Sequence, residues 1–162
     1  MKKTKVSPRI SFSKFPDADG TYVCSAHALV YAVKGFVNLH FPESIEIISC
    51  IKEPSTLHIK MIPNRLANLL NILLQAAAQK DKILIEASDT GKSLKLELKL
   101  EGNKPFGKRQ INLIKNEFES DACVISDKSI VVYIAHEMPS VITTSAVVVA
   151  FIMEELERIF FG

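Results

Sequence analysis

The chain has 162 residues, 48% of them hydrophobic and 23% charged. That is enough for one compact domain with a real core and argues against two full domains or a disordered chain. Lys+Arg 20 against Asp+Glu 18 leaves a net charge of +2, too small a surplus for a dedicated nucleic-acid binder. The 6 glycines give no GxGxxG or GxxxxGKS phosphate loop.

The basic N-terminus, with Lys2, Lys3, Lys5 and Arg9, is not followed by an apolar h-region, so a solvated tail is expected and no secretory signal. RISFSK at 9–14 alternates as a short strand. From Thr21 the apolar residues Val23, Ala26, Leu29, Val30, Val33, Phe36 and Val37 follow helical spacing up to Pro42. SIEIISCI and STLHIKM read as two strands joined by a short connection at Lys52, Glu53 and Pro54, which suits a hairpin or an irregular turn. Residues 63–80 predict a helix with Pro63 in its first turn and an apolar face of Leu66, Leu69, Leu70, Leu73 and Ala77. KILIEAS and SLKLELKL alternate about the turn Asp89-Thr90-Gly91-Lys92 and predict an antiparallel hairpin. EGNKPFGK, 101–108, is a loop, and RQINLIKNEFES after it an amphipathic helix. ACVIS and SIVVYIAHEM form a further β pair, and 140–161 a last helix.

The order β-α-β-β-α-β-β-α-β-β-α predicts an α+β two-layer sandwich, a mixed and mostly antiparallel sheet with its helices on one face. Residues 1–42 form a tail, short strand and helix, 43–139 the main domain, and 140–162 a helix packed on that domain or at an interface. Cys24, Cys50 and Cys123 stand far apart in apolar surroundings, as reduced core residues of a cytoplasmic protein would. The longest apolar run, 146–153, is well short of the ~20 residues of a membrane span. His27, His40, His58 and His136 form no HxxxH or HExxH pair, so no metal site is expected. There is also no GxSxG elbow. The loop KPFGKR, 104–109, could receive a phosphate or an acidic partner or be a solvated turn. Phe160 and Phe161 cannot both enter one narrow stripe. They are the candidate partner-binding residues, with packing on the open face of the sheet as the alternative.

From Ile45 to Pro139 the chain resembles the catalytic ATPase domain of sensor histidine kinases. Arg65, Leu66, Leu70, Leu73, Leu74 and Ala77 fit that family's helix pattern R-L-x-x-x-L-x-N-L-L-x-N-A. KILIEAS and SLKLELKLEG are similar to the two strands ending at its D-x-G motif, and QINLIKNEF to the helix after its ATP lid. The family's nucleotide-holding residues fall on positions that cannot serve. The helix asparagines fall on Ala76 and Ile72, and the adenine-reading aspartate on Leu100 unless the register slips to Glu101. The phosphate-binding glycines fall near Gln110, and the lid shrinks to Asn103, Lys104 and Pro105. Apolar residues neither ligate magnesium nor accept a buried hydrogen bond, so no nucleotide or other cofactor is expected.

The degenerate pattern resembles the nucleotide-free histidine phosphotransferases, which implies a protein partner such as a response regulator or a kinase, and a homodimer. It makes His27 the candidate phosphoacceptor, although Ala28 stands where that family has an acidic residue. A structural or surface histidine is the other reading. Two alternatives stay open: a divergent ATP-binding domain using Asn68 or Asn71 for magnesium, and a structural dimerisation module built on the last helix.

Overall fold

The computed structural model describes residues 22–162 apart from 53, 54, 78–80, 103, 119–121 and 127. In chain order the elements are β1 Val23–Ser25, α1 Ala26–His40, β2 Ile45–Ser49, β3 His58–Lys60, α2 Pro63–Ala77 and β4 Ile83–Asp89. They continue with β5 Ser93–Leu100, α3 Lys108–Glu117, β6 Ala122–Ile125, β7 Ile130–Ala135 and α4 Ser145–Phe161. Five strands form a mixed sheet in the order β2-β4-β5-β7-β6, in which only β2 and β4 are parallel. The α+β class and the helices on one face are as expected.

Strand alternation fixes the two faces. In β5, Leu94, Leu98 and Leu100 are buried towards the helices, while Lys95, Glu97 and Lys99 line the open face. The β4–β5 hairpin closes on the expected turn, where Gly91 takes φ +90° and its N–H donates to Asp89 Oδ1 at 2.7 Å. In α2 the inward residues are Leu69, Leu70, Leu73 and Ala77, with Leu73 fully buried.

The start of the first helix is corrected. The predicted strand at 9–14 lies outside the described residues, and the first observed strand is Val23–Ser25, which helical spacing had assigned to the helix. Ser25 ends that strand and caps α1, its Oγ accepting the Ala28 N–H at 3.3 Å, so the helix begins at Ala26. Of the two connections the sequence allowed between β2 and β3, the hairpin is not formed. β2 pairs with β4 in the register Ile45 to Ile83, and β3 pairs antiparallel with β1, Cys24 facing Ile59. The pairing buries Ile45, Ile47 and Ile59 at once.

α4 packs on α1 and α2 and touches β1, rather than lying on the five-stranded sheet. It runs parallel to α1: Ala146 and Val149 share a depression with His27 and Ala28, Met153 meets Gly35, and Glu157 pairs with His40 at 3.0 Å. Val148, Ile152 and Leu156, four apart, are its fully buried stripe. No described helix is long and apolar enough to cross a membrane.

The three cysteines are free, but only Cys24 is a core residue; Cys50 is exposed and Cys123 half-buried. Burial pushes the Cys24 thiol up to about 12. Partial burial also raises Cys123, against the lowering influence of Lys115. Because its folded value is raised, the Cys24 contribution to stability is complete below the thiol's ordinary range near 8.5 and declines as pH rises towards 12. A disulfide reagent added to the native protein at pH 8 is expected to modify Cys50 first and Cys24 only on unfolding. Equal native rates for the two thiols would contradict this burial.

Candidate functional site

The positions matched to nucleotide contacts gather at one end of the sandwich, where the C-terminal half of α2 meets the end of β5, the loop 101–107 and the start of α3. Ala76 and Leu100 are buried, 7% and 8% exposed, and Leu100 faces Ile83 across the β4–β5 ladder. Ile72 is half-buried against the core. Gln110 folds back over the helix start, its Oε1 occupying the space where a side chain on Gly107 would lie.

The loop is tied down at three points. The Glu101 N–H donates to the Lys82 carbonyl at 2.7 Å, Lys104 bridges Asp81 at 2.7 Å, and Phe106 is buried in the core. Sequence reasoning missed one point here. Gly102 to Lys108 has Gly-x-x-x-x-Gly-Lys spacing between a strand and a helix, as a phosphate loop does, with Arg109 where the motif has a magnesium-binding hydroxyl. Phe106 is turned inward and Lys104 is held on Asp81, so neither side chain lines an open cradle. Lys108 and Arg109 remain exposed at the N-terminus of α3.

At the other end of this helix pair, Asn68 Nδ2 donates to Glu117 Oε1 at 3.1 Å and Arg65 donates to the Glu117 carbonyl. The Arg65 guanidinium lies 5.4 Å from the Phe118 ring centroid. Asn68 is thus engaged with the end of α3, while Asn71 is exposed.

His27 is the second residue of α1. It is half-buried, lies 6.5 Å from Tyr31 between ring centroids, and lines a shallow depression of about 470 Å3 with Ala28, Tyr31, Ser145, Ala146 and Val149. Its Nδ1 is shielded from solvent. The helix beside it is α4, parallel to α1, so the two do not form a helical hairpin.

Phe160 and Phe161 reach the C-terminal end of α1. The Phe160 ring lies 5.6 Å from Phe36 and 5.7 Å from Phe41, half-buried. Phe161 lies 4.7 Å from His40 and stays 57% exposed. The structure also joins two histidines that the sequence placed on separate elements: His136 Nδ1 accepts the His58 backbone N–H at 3.0 Å. Among the described residues no group of His, Cys, Asp and Glu could hold a metal ion.

The chain is similar to the catalytic domains of histidine kinases. The catalytic domain of histidine kinase ThkA in a nucleotide-free form superposes with a TM-score of 0.49 at 11% identity, covering 74% of this chain and 99% of that one. The ATP binding domain of PrrB from Mycobacterium tuberculosis gives 0.47 at 9% identity, with 73% and 98% covered. Histidine kinase ThkA in complex with response regulator protein TrrA gives 0.46 at 13% identity, with 74% of this chain and 42% of that one covered. No family model matches the sequence, and no curated protein matches it.

Proposed function

We propose that this chain is a signalling domain with a histidine-kinase ATPase-like fold that works by binding a protein and holds no nucleotide. The observation that carries this reading is the burial of apolar Ala76 and Leu100 where a nucleotide would need an amide and a carboxylate. An adenine amino group left without its acceptor loses about 1–3 kcal/mol, and an alanine offers magnesium no oxygen ligand. The pinned loop 101–107 supports the same reading, because Lys104 and Phe106 are committed to the protein itself.

The partner is a response regulator or a kinase, and His27 is the residue through which phosphate would pass. Nδ1 is shielded from solvent, so transfer to His27 would have to take place at Nε2. In that step the acyl phosphate P–O bond of a response-regulator aspartate breaks, a P–N bond forms at Nε2, and the imidazole gives up a proton. The first turn of α1 favours the resulting dianion, since the positive end of the helix dipole lies beside it. The free thiols fit a reducing, cytoplasmic setting. Exposed Phe161 and Leu39, at the shared end of α4 and α1, favour a homodimer interface as a further role.

Incubation with a phosphorylated response regulator is expected to give an acid-labile label on the protein that is absent from His27→Ala. No label on the wild type removes phosphotransfer and leaves regulation by binding. Calorimetry with magnesium ATP is expected to show no saturable binding below about 1 mM. Saturation there would instead establish a divergent ATP-binding domain.

A further inference from the structure

Two adjoining voids lie at the end of the sandwich away from the loop 101–107. The larger, about 80 Å3, is enclosed by α1, α2 and the sheet, and every side chain lining it is apolar. The smaller, about 40 Å3, shares Leu66 and Phe118 as a wall with the first and opens past Lys60 and Arg65.

Protein interiors rarely keep voids larger than a water molecule, and this one has an identifiable origin. Along the inward face of β4, Ile83 and Ile85 are followed by Ala87, whose methyl leaves the third place under-filled opposite Leu96. Leu96 points inward from the middle strand of the sheet. It keeps solvent exposure that Leu94 and Leu98 lack, so the chamber communicates with the outside. A chamber without a polar partner does not hold water well. Its mouth, by contrast, carries cations. Arg65 is engaged with the Glu117 carbonyl and Phe118, and so fixes the wall, whereas Lys60 is exposed and makes no ion pair among the described residues.

We propose that this chamber binds a small aliphatic monocarboxylate. Its alkyl end lies between Leu69, Ala87 and Leu96, and its carboxylate meets the Lys60 ammonium at the mouth. An apolar cavity of about 150 Å3 takes up benzene, so the chamber of about 80 Å3 accepts about three carbons and the neck the carboxyl end. Butyrate fits this description, whereas acetate leaves the chamber empty. The site is separate from the nucleotide-side end and does not depend on the function proposed above.

The experiment is a titration of the full-length, methyl-labelled protein followed by NMR. Butyrate is expected to shift the methyl signals of Leu66, Leu69 and Leu96 saturably, with Kd on the order of 1 mM or below, and acetate to shift none of them. Lys60→Gln is expected to weaken butyrate by about two- to fivefold and leave 1-butanol unchanged, the effect of a single exposed ion pair. Ala87→Leu, which fills the chamber, is expected to weaken both at least tenfold. Should that variant fail to fold, contacts observed in the wild type between the butyrate terminal methyl and Leu96 decide the matter. The proposal is overturned by an absence of saturable shifts, by shifts confined to residues outside the chamber, or by undiminished binding to a folded Ala87→Leu protein.

Discussion

Phe36→Ala is expected to lower the unfolding free energy by about 3–5 kcal/mol, a large part of the about 5–15 kcal/mol that a domain of this kind possesses. Phe36 is fully buried in α1, and its ring lies among four others: His40 at 4.7 Å, Phe160 at 5.6 Å, Phe41 at 6.0 Å and Phe161 at 6.2 Å. Removing it leaves a cavity and also takes away aromatic contacts worth about 0.5–1.5 kcal/mol each beyond their area. The last turn of α4 rests on this cluster, and the exposed His40–Glu157 pair beside it is of a kind that contributes about 0–1 kcal/mol. Urea unfolding should show a lower midpoint with the slope unchanged. Leu39→Ala, on the same helix but 64% exposed, should stay within about 0.5 kcal/mol of the wild type. Comparable losses from the two variants would mean that α4 does not pack on α1 as described.

The same cluster explains what the sequence could reveal. α2 and the β4–β5 hairpin were readable because each has one wet face: Leu69, Leu70 and Leu73 recur at helical spacing, and Leu94 to Leu100 alternate with Lys95, Glu97 and Lys99 about a glycine turn. α1 has sheet on one side and α4 on another, so Ala26, Ala28, Leu29, Val30 and Ala32 are all buried and no narrow stripe marks its start. Val23 and Cys24 merged into it, and only the capping Ser25 separates strand from helix. The parallel β2–β4 pairing was hidden for a different reason. Period-two alternation says which face a strand buries but not which strand lies beside it. At the candidate site, the apolar character of Ala76 and Leu100 was plain from the residues alone. The inward turn of Phe106 was not, because a single aromatic in a polar loop carries no periodicity.

Leu100→Asp places a carboxylate at the position where the resemblance puts the adenine-reading aspartate, and the expected result is loss of stability without gain of nucleotide. Leu100 ends the inward row of β5, opposite fully buried Ile83. The nearby cation Lys82 is already paired with Glu46 at 3.3 Å on the open face. The new carboxylate therefore has to ionise among apolar groups or stay protonated, and a loss of about 3 kcal/mol or more at pH 7 follows. Burial raises the folded pKa of such a group above its unfolded value near 3.9. The charge-dependent part of the loss is then absent below about pH 4 and grows as pH rises to the folded value, on top of the pH-independent loss of Leu100 packing. The urea midpoint of the variant should accordingly lie below that of the wild type at pH 4 and fall further below it at pH 7. In the double variant Ala76→Asn, Leu100→Asp, an open nucleotide pocket would let magnesium ATP restore stability, by about 2.7 kcal/mol at a hundred times its Kd. With Lys104 on Asp81 and Phe106 in the core, no rise in Tm is expected at millimolar magnesium ATP. A rise would mean that room for a nucleotide persists at this end of the sandwich and that the apolar Ala76 and Leu100, rather than the anchored Lys104 and Phe106, keep it out of the wild-type chain.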